Sequence, residues 1–185
     1  VDTFTILGVS GGGPFALAAA HHFPKARLKK TAILCGVTDP AYEEASISIR
    51  WRIQFLCAAR FPALFRAWAV YMGSREFYYD KTLTREKNLE NYKRHSEKYR
   101  QNYKGYVNDF RLHGRRWGFD WKKIQSNPIK WYHGGLDTDC SSSAAQQMGR
   151  AMKHGGVLKV TVFPTHDHYT IQRKESYKLL KWLQE

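Results

Sequence analysis

The stretch GVSGGG at residues 8 to 13 constrains the fold of this chain more than any other, because it joins an apolar run to a helix-forming one with little room to turn. Phe4, Ile6, Leu7 and Val9 suit a strand of a buried parallel sheet, and the run from Ala16 to Ala20 favours a helix. Between them Gly8, Ser10 and Gly12 form G-x-S-x-G. Such glycines allow a turn sharp enough to hold a serine hydroxyl clear of the strand end, the geometry of a nucleophile elbow. An ordinary tight turn or a phosphate-binding nest shares the glycine content. Dinucleotide binding requires G-x-G-x-x-G, and a phosphate loop ends in Gly-Lys-Ser/Thr; Gly8, Gly11 and Gly13 supply neither pattern. Ser10 is the first residue to weigh as a nucleophile.

The order of elements after the elbow is that of an α/β fold. The first helix ends at Pro24, and TAILCG at 31 to 36 reads as a second buried parallel strand, so a strand, a helix and a strand form one crossover unit. From Pro40 the period becomes helical: Tyr42 to Arg60, Pro62 to Met72, and Leu83 to Phe110 as one long basic helix or a broken pair. In the last segment Leu89, Tyr92, Ser96, Tyr99, Tyr103, Tyr106 and Phe110 recur at helical spacing, which reads as a packing face rather than a base-stacking one. Strands return at 128 to 133 and 157 to 163, with a Ser-capped helix at 141 to 153, a turn at His154 to Gly156 and a terminal helix from Ile171 to Trp182. Residues 1–39 and 126–185 are thus expected to form the core and 40–125 an inserted helical cap.

Composition narrows the partners. The formal net charge is +14, and from Lys81 to Lys123 only Glu86, Glu90, Glu97, Asp109 and Asp120 oppose 13 basic side chains. Such a field attracts anions, so a basic nucleic-acid-binding protein is the rival from another functional class. No nucleic-acid-reading motif accompanies the charge, and the bases are expected to face solvent. Three cysteines, Cys35, Cys57 and Cys140, cannot all pair within the chain and read as free thiols of a reducing compartment such as the cytoplasm, with Cys35 in the core. The apolar stretch at 61 to 72 is shorter than the roughly 20 residues a membrane span needs.

A serine nucleophile needs a base to take its proton and an acid to fix the tautomer of that base. In open parallel sheets these groups gather beyond the carboxyl ends of the strands. Asp137 and Asp139 follow the third strand, and His166 and His168 follow the fourth, giving the order Ser, Asp, His. The acids can equally close a turn after Gly134 and Gly135, and the histidines can be a solvated pair or an H-x-H metal pair. His21, His22 and His133 read as structural or solvated.

These segments resemble an α/β-hydrolase of the lipase and esterase-like group. GVSGGGPFALAAA is similar to that family's elbow and helix, WGFDWKKIQSNPIKWYHGGLDTD to its acid-bearing strand, and VFPTHDHYTI to its histidine loop. The resemblance implies the C-terminal half of a mostly parallel sheet with an inserted helical cap, preceded in the family by further strands. It also resolves two choices. The family's acid falls three residues after a strand-ending glycine, which selects Asp137 with Asp139 as fallback; its histidine falls four residues after a proline, which selects His168 with His166 as fallback. Asp167 stands where the family has glycine, and its carboxylate is expected to perturb the base or compete for its ring N–H. Gly11, following the nucleophile, is the implied oxyanion donor, the second coming in the family from a loop before the elbow. The implied substrate is a small, apolar acyl or ester compound, taken by hydrolysis or acyl transfer with no metal or organic cofactor. Trp51, Phe55, Phe65, Trp68 and Met72 are candidate lining residues in the cap. A catalytically inactive hydrolase-like chain is the alternative within the same fold.

Overall fold

The computed structural model describes residues 2–42, 48–75, 83–97, 101–124, 128–152 and 158–185. Four strands, β1 (Phe4–Val9), β2 (Leu28–Leu34), β3 (Ile129–Gly134) and β4 (Leu158–Phe163), form one sheet in the order β1-β2-β3-β4. Every pairing is parallel, with Leu7 beside Ala32, Ile33 beside Trp131 and Gly134 beside Phe163. Parallel neighbours require crossovers. Helix α1 (Gly13–His22) makes the first and α6 (Ser142–Ala151) the last, and α7 (His168–Gln184) closes the chain.

The alternation of side chains along the strands sorts the helices onto two faces. Ile33 and Trp131 face Leu17 and Ala20 of α1 and Ala145 and Met148 of α6. Ala32 and Leu34 face Ile171 and Leu179 of α7. Residues Thr31 to Leu34 of β2 are all buried because helices cover both faces and strands flank both edges, as expected for an inner parallel strand. Among the described residues β1 bonds only to β2, and Val9 is half-exposed at this edge of the sheet.

Local chemistry sets the helix limits. α1 stops at Phe23, whose backbone is extended ahead of Pro24, since the residue before a proline is pushed out of helical geometry. Ser141 caps α6 by accepting from the Ala144 N–H. α7 begins at His168, three residues before the expected Ile171, because Asp167 caps it by accepting from the N–H groups of Tyr169 and Thr170. The turn expected at His154 to Gly156 lies outside the described residues.

The chain divides into two compact units, residues 1–51 with 116–185, and residues 52–115. The first holds the sheet. The two ends of the expected 40–125 insertion, up to Trp51 and from Arg116, fall in it, tied by long-range bonds: the Trp121 indole donates to Asp39 and the Trp51 indole to Asp139. In the helical unit, α3 (Pro62–Arg75), α4 (Arg85–Glu97) and α5 (Lys104–His113) follow the end of α2 (Ile49–Arg60). The segment 83–110 is a broken pair, with Tyr103 in the left-handed region (φ 62°) before α5. Its aromatic stripe divides accordingly. Tyr106 and Phe110 pack on Phe65, Leu89 and Tyr92 are exposed, and Tyr99 lies outside the described residues. Phe55 packs on Phe110 and His113, so Phe55 and Phe65 serve the core of the helical unit. No described helix is long and apolar enough to cross a membrane.

Candidate active site

The parallel register brings the carboxyl ends of the strands to one end of the sheet, and the turns beyond them carry the chemistry. Ser10 follows β1 with φ at 52°, a left-handed backbone uncommon for a residue with a side chain. α1 runs close behind β1, which calls for glycine at position 8: a Cβ there would lie 2.5 Å from the Gly12 carbonyl oxygen and 2.8 Å from Ala16 Cβ. The Val37 N–H donates to the Ser10 carbonyl at 3.0 Å and ties the turn to the segment after β2. Ser10 is half-buried.

Asp137 sits in the turn after β3, its side chain buried. One carboxylate oxygen accepts from the N–H groups of Asp139 and Cys140, each at 2.9 Å. The other lies 2.8 Å from His168 Nδ1 and 3.5 Å from His133 Nε2. A carboxylate only accepts, so His168 Nδ1 carries hydrogen, and in the neutral ring Nε2 accepts from the Ser10 hydroxyl at 3.0 Å. Ser10, His168 and Asp137 therefore form one hydrogen-bonded line.

Burial pulls the His168 imidazole toward its neutral form, yet the Asp137 carboxylate, with the thiols of Cys140 and Cys35, outweighs this and holds its pKa well above the ordinary imidazole range. His133 behaves oppositely. It is wholly buried, and burial lowers its pKa despite the Cys140 carbonyl and the Asp137 charge. Its Nε2–H donates to the Cys140 carbonyl at 3.0 Å, so a neutral ring braces the turn that carries Asp137.

The fallback residues are placed elsewhere. Asp139 accepts from the Trp51 indole at 3.0 Å. His166 approaches Glu175 at 3.6 Å and Thr165 at 3.2 Å, so the H-x-H pair diverges. Asp167 is engaged at the start of α7 by the backbone N–H groups that hold its own pKa low, instead of competing for the His168 ring. A separate cleft of about 790 Å³ is lined by residues of 39–42 and 116–122, among them Tyr42, Trp117, Phe119 and Trp121.

Two neighbours of the site carry no signal for it in their residue type. Cys35 reads as a core residue, but it follows β2 at the same sheet end, has φ at 42°, and holds Sγ 4.0 Å from His168 Nε2. Gln172, one turn into α7, donates to that sulfur at 3.4 Å. The available signal was positional: both lie at strand or helix ends that the topology turns toward Ser10.

The same architecture occurs in solved α/β-hydrolases. A hydrolase from Oleispira antarctica superposes with a TM-score of 0.56 at 13% identity, over 100% of this chain and 66% of that one. An enol-lactonase from Burkholderia xenovorans LB400 gives 0.55 at 13%, over 100% and 67%. A thermophilic esterase from Thermogutta terrifontis gives 0.53 at 18%, over 99% and 65%. No protein-family model and no curated protein sequence matches the chain. The chain has the α/β-hydrolase fold, as the sequence resemblance implies, and spans about two thirds of the length of these solved structures.

Proposed function

We propose that this chain carries the catalytic centre of a serine hydrolase acting on a carboxylic ester or related acyl compound. The single observation that carries the reading is the line from Ser10 Oγ through His168 to Asp137, at 3.0 and 2.8 Å, starting from a serine held at positive φ. In this mechanism His168 Nε2 takes the Ser10 proton as Oγ attacks the acyl carbonyl. Asp137 fixes the Nδ1–H tautomer and offsets the charge on the imidazolium that forms. Gly11, next in the turn, is assigned to the oxyanion side. The imidazolium then protonates the leaving alcohol, and His168 activates the water that releases the acyl group. An acceptor alcohol in place of water makes the same centre an acyltransferase.

The raised basicity of His168 suits this sequence, because the carboxylate that raises it also stabilises the charge formed during attack. Hydrolysis of a short activated ester by the protein carrying this sequence tests the reading. Burst release of alcohol in the unaltered protein and its loss in Ser10→Ala are expected. Turnover that survives Ser10→Ala at the original rate refutes it.

A further inference from the structure

Cys35 has no part in the proposed acyl transfer, yet its thiol lies within the reacting cluster. Ligand atoms of Cys35, Asp137 and His168 all fall within 4.8 Å of one another, and all three residues are buried. Cys35 Sγ lies 4.0 Å from His168 Nε2 and 3.8 Å from the His168 carbonyl oxygen. Ser10 Oγ approaches the same Nε2 at 3.0 Å. His168 Nε2 thus has both a thiol and the hydroxyl of the half-buried serine as neighbours.

We propose that Cys35 Sγ and His168 Nε2 form an inhibitory binding site for a thiophilic divalent cation of the zinc type, with Ser10 Oγ or water completing its shell. The binding stands on this cluster alone; the inhibition rests on the serine-hydrolase reading above. Zinc sits about 2.3 Å from thiolate sulfur and about 2.0 to 2.1 Å from imidazole nitrogen, so it can bridge ligands up to about 4.4 Å apart. The 4.0 Å separation falls inside that limit, and a small closing movement brings the angle toward tetrahedral. A thiolate with an imidazole favours zinc over magnesium or calcium, which take oxygen ligands.

Asp137 supports the ion without binding it. Its oxygen holds His168 Nδ1–H at 2.8 Å, which aims the Nε2 lone pair outward and completes a carboxylate–histidine–metal arrangement. On binding, metal–sulfur and metal–nitrogen bonds replace two metal–water bonds, the Cys35 proton and any proton on His168 Nε2 leave to solvent, and no oxidation state changes. The occupied Nε2 can then no longer accept the Ser10 proton.

The test is titration of the protein with Co²⁺, read by the thiolate-to-cobalt charge-transfer band, with Zn²⁺ as competitor. A band appears in the unaltered protein, is displaced by Zn²⁺, and is lost in Cys35→Ser, Cys35→Ala and His168→Ala, each checked by circular dichroism for an intact fold. Zn²⁺ also slows phosphonate labelling of Ser10, and Cys35→Ser weakens that sensitivity roughly tenfold or more. Absence of the band in the folded protein, or an undiminished band in Cys35→Ser, overturns the site. A Cys35-dependent band in a protein that phosphonate never labels upholds the site and instead defeats the hydrolase reading and the inhibition with it.

Discussion

His168 Nε2 lies 3.0 Å from Ser10 Oγ, although 158 positions of sequence separate them. The contact depends on the sheet and on the start of α7 together. β1 delivers Ser10 to its carboxyl end, and the Asp167 cap starts the helix so that its first residue, His168, meets the serine.

Replacing the two histidines separately tests this placement. His168→Ala lowers kcat/KM for an activated ester by about 10² to 10⁴-fold, the usual contribution of a general base. His166→Ala changes it only a few-fold, since His166 faces Glu175 and Thr165. Steady-state kinetics of both variants check the contrast.

The two acids separate in the same way, and pH adds a second readout. Asp137→Asn costs up to about 10⁴-fold in kcat, as expected when the tautomer of the base is no longer fixed. Asp139→Asn is mild, because an amide oxygen can still accept from the Trp51 indole. His168 has a raised pKa, so the active base form grows only above the ordinary imidazole value of about 6.5, and the rising limb of the rate profile lies alkaline of it. Asp137→Asn removes the strongest of the raising interactions, which moves that limb to lower pH. For stability the sign is opposite in sense: the contribution of His168 is full below about pH 6.5 and is lost as pH rises through the folded value.

Much of this arrangement was legible because its signals are local. Apolar runs, an Ala-rich helix and Pro24 mark β1, α1 and β2, and the elbow glycines mark Ser10. The choice between Asp137 and Asp139 came from family offsets, since only the long-range contacts to His168 and Trp51 distinguish two acids in one turn. The helical unit of residues 52–115 is shorter than the expected 40–125 block for the same reason. Asp39 with Trp121, and Trp51 with Asp139, are bonded across 82 and 88 positions, a link no window of sequence displays. Cys35 and His133 resemble core residues in type, and only the topology sets one beside His168 and the other beneath Asp137.

The elbow glycines differ in what they permit. Gly8→Ala forces a Cβ to within 2.5 Å of the Gly12 carbonyl, and overpacking of this kind destabilises by roughly 1 to 3 kcal/mol. Gly12→Ala meets nothing within 4 Å and has an ordinary φ of −74°, so it is neutral or stabilising by up to about 1 kcal/mol. Urea denaturation of the two variants measures the difference.

Ser10 as the nucleophile is tested most directly by labelling with a serine-reactive phosphonate followed by mass-spectrometric mapping of the modified peptide. A single adduct on Ser10 is expected, absent in Ser10→Ala and strongly slowed in His168→Ala. An adduct on another residue, or one that forms at an unchanged rate in Ser10→Ala, contradicts it.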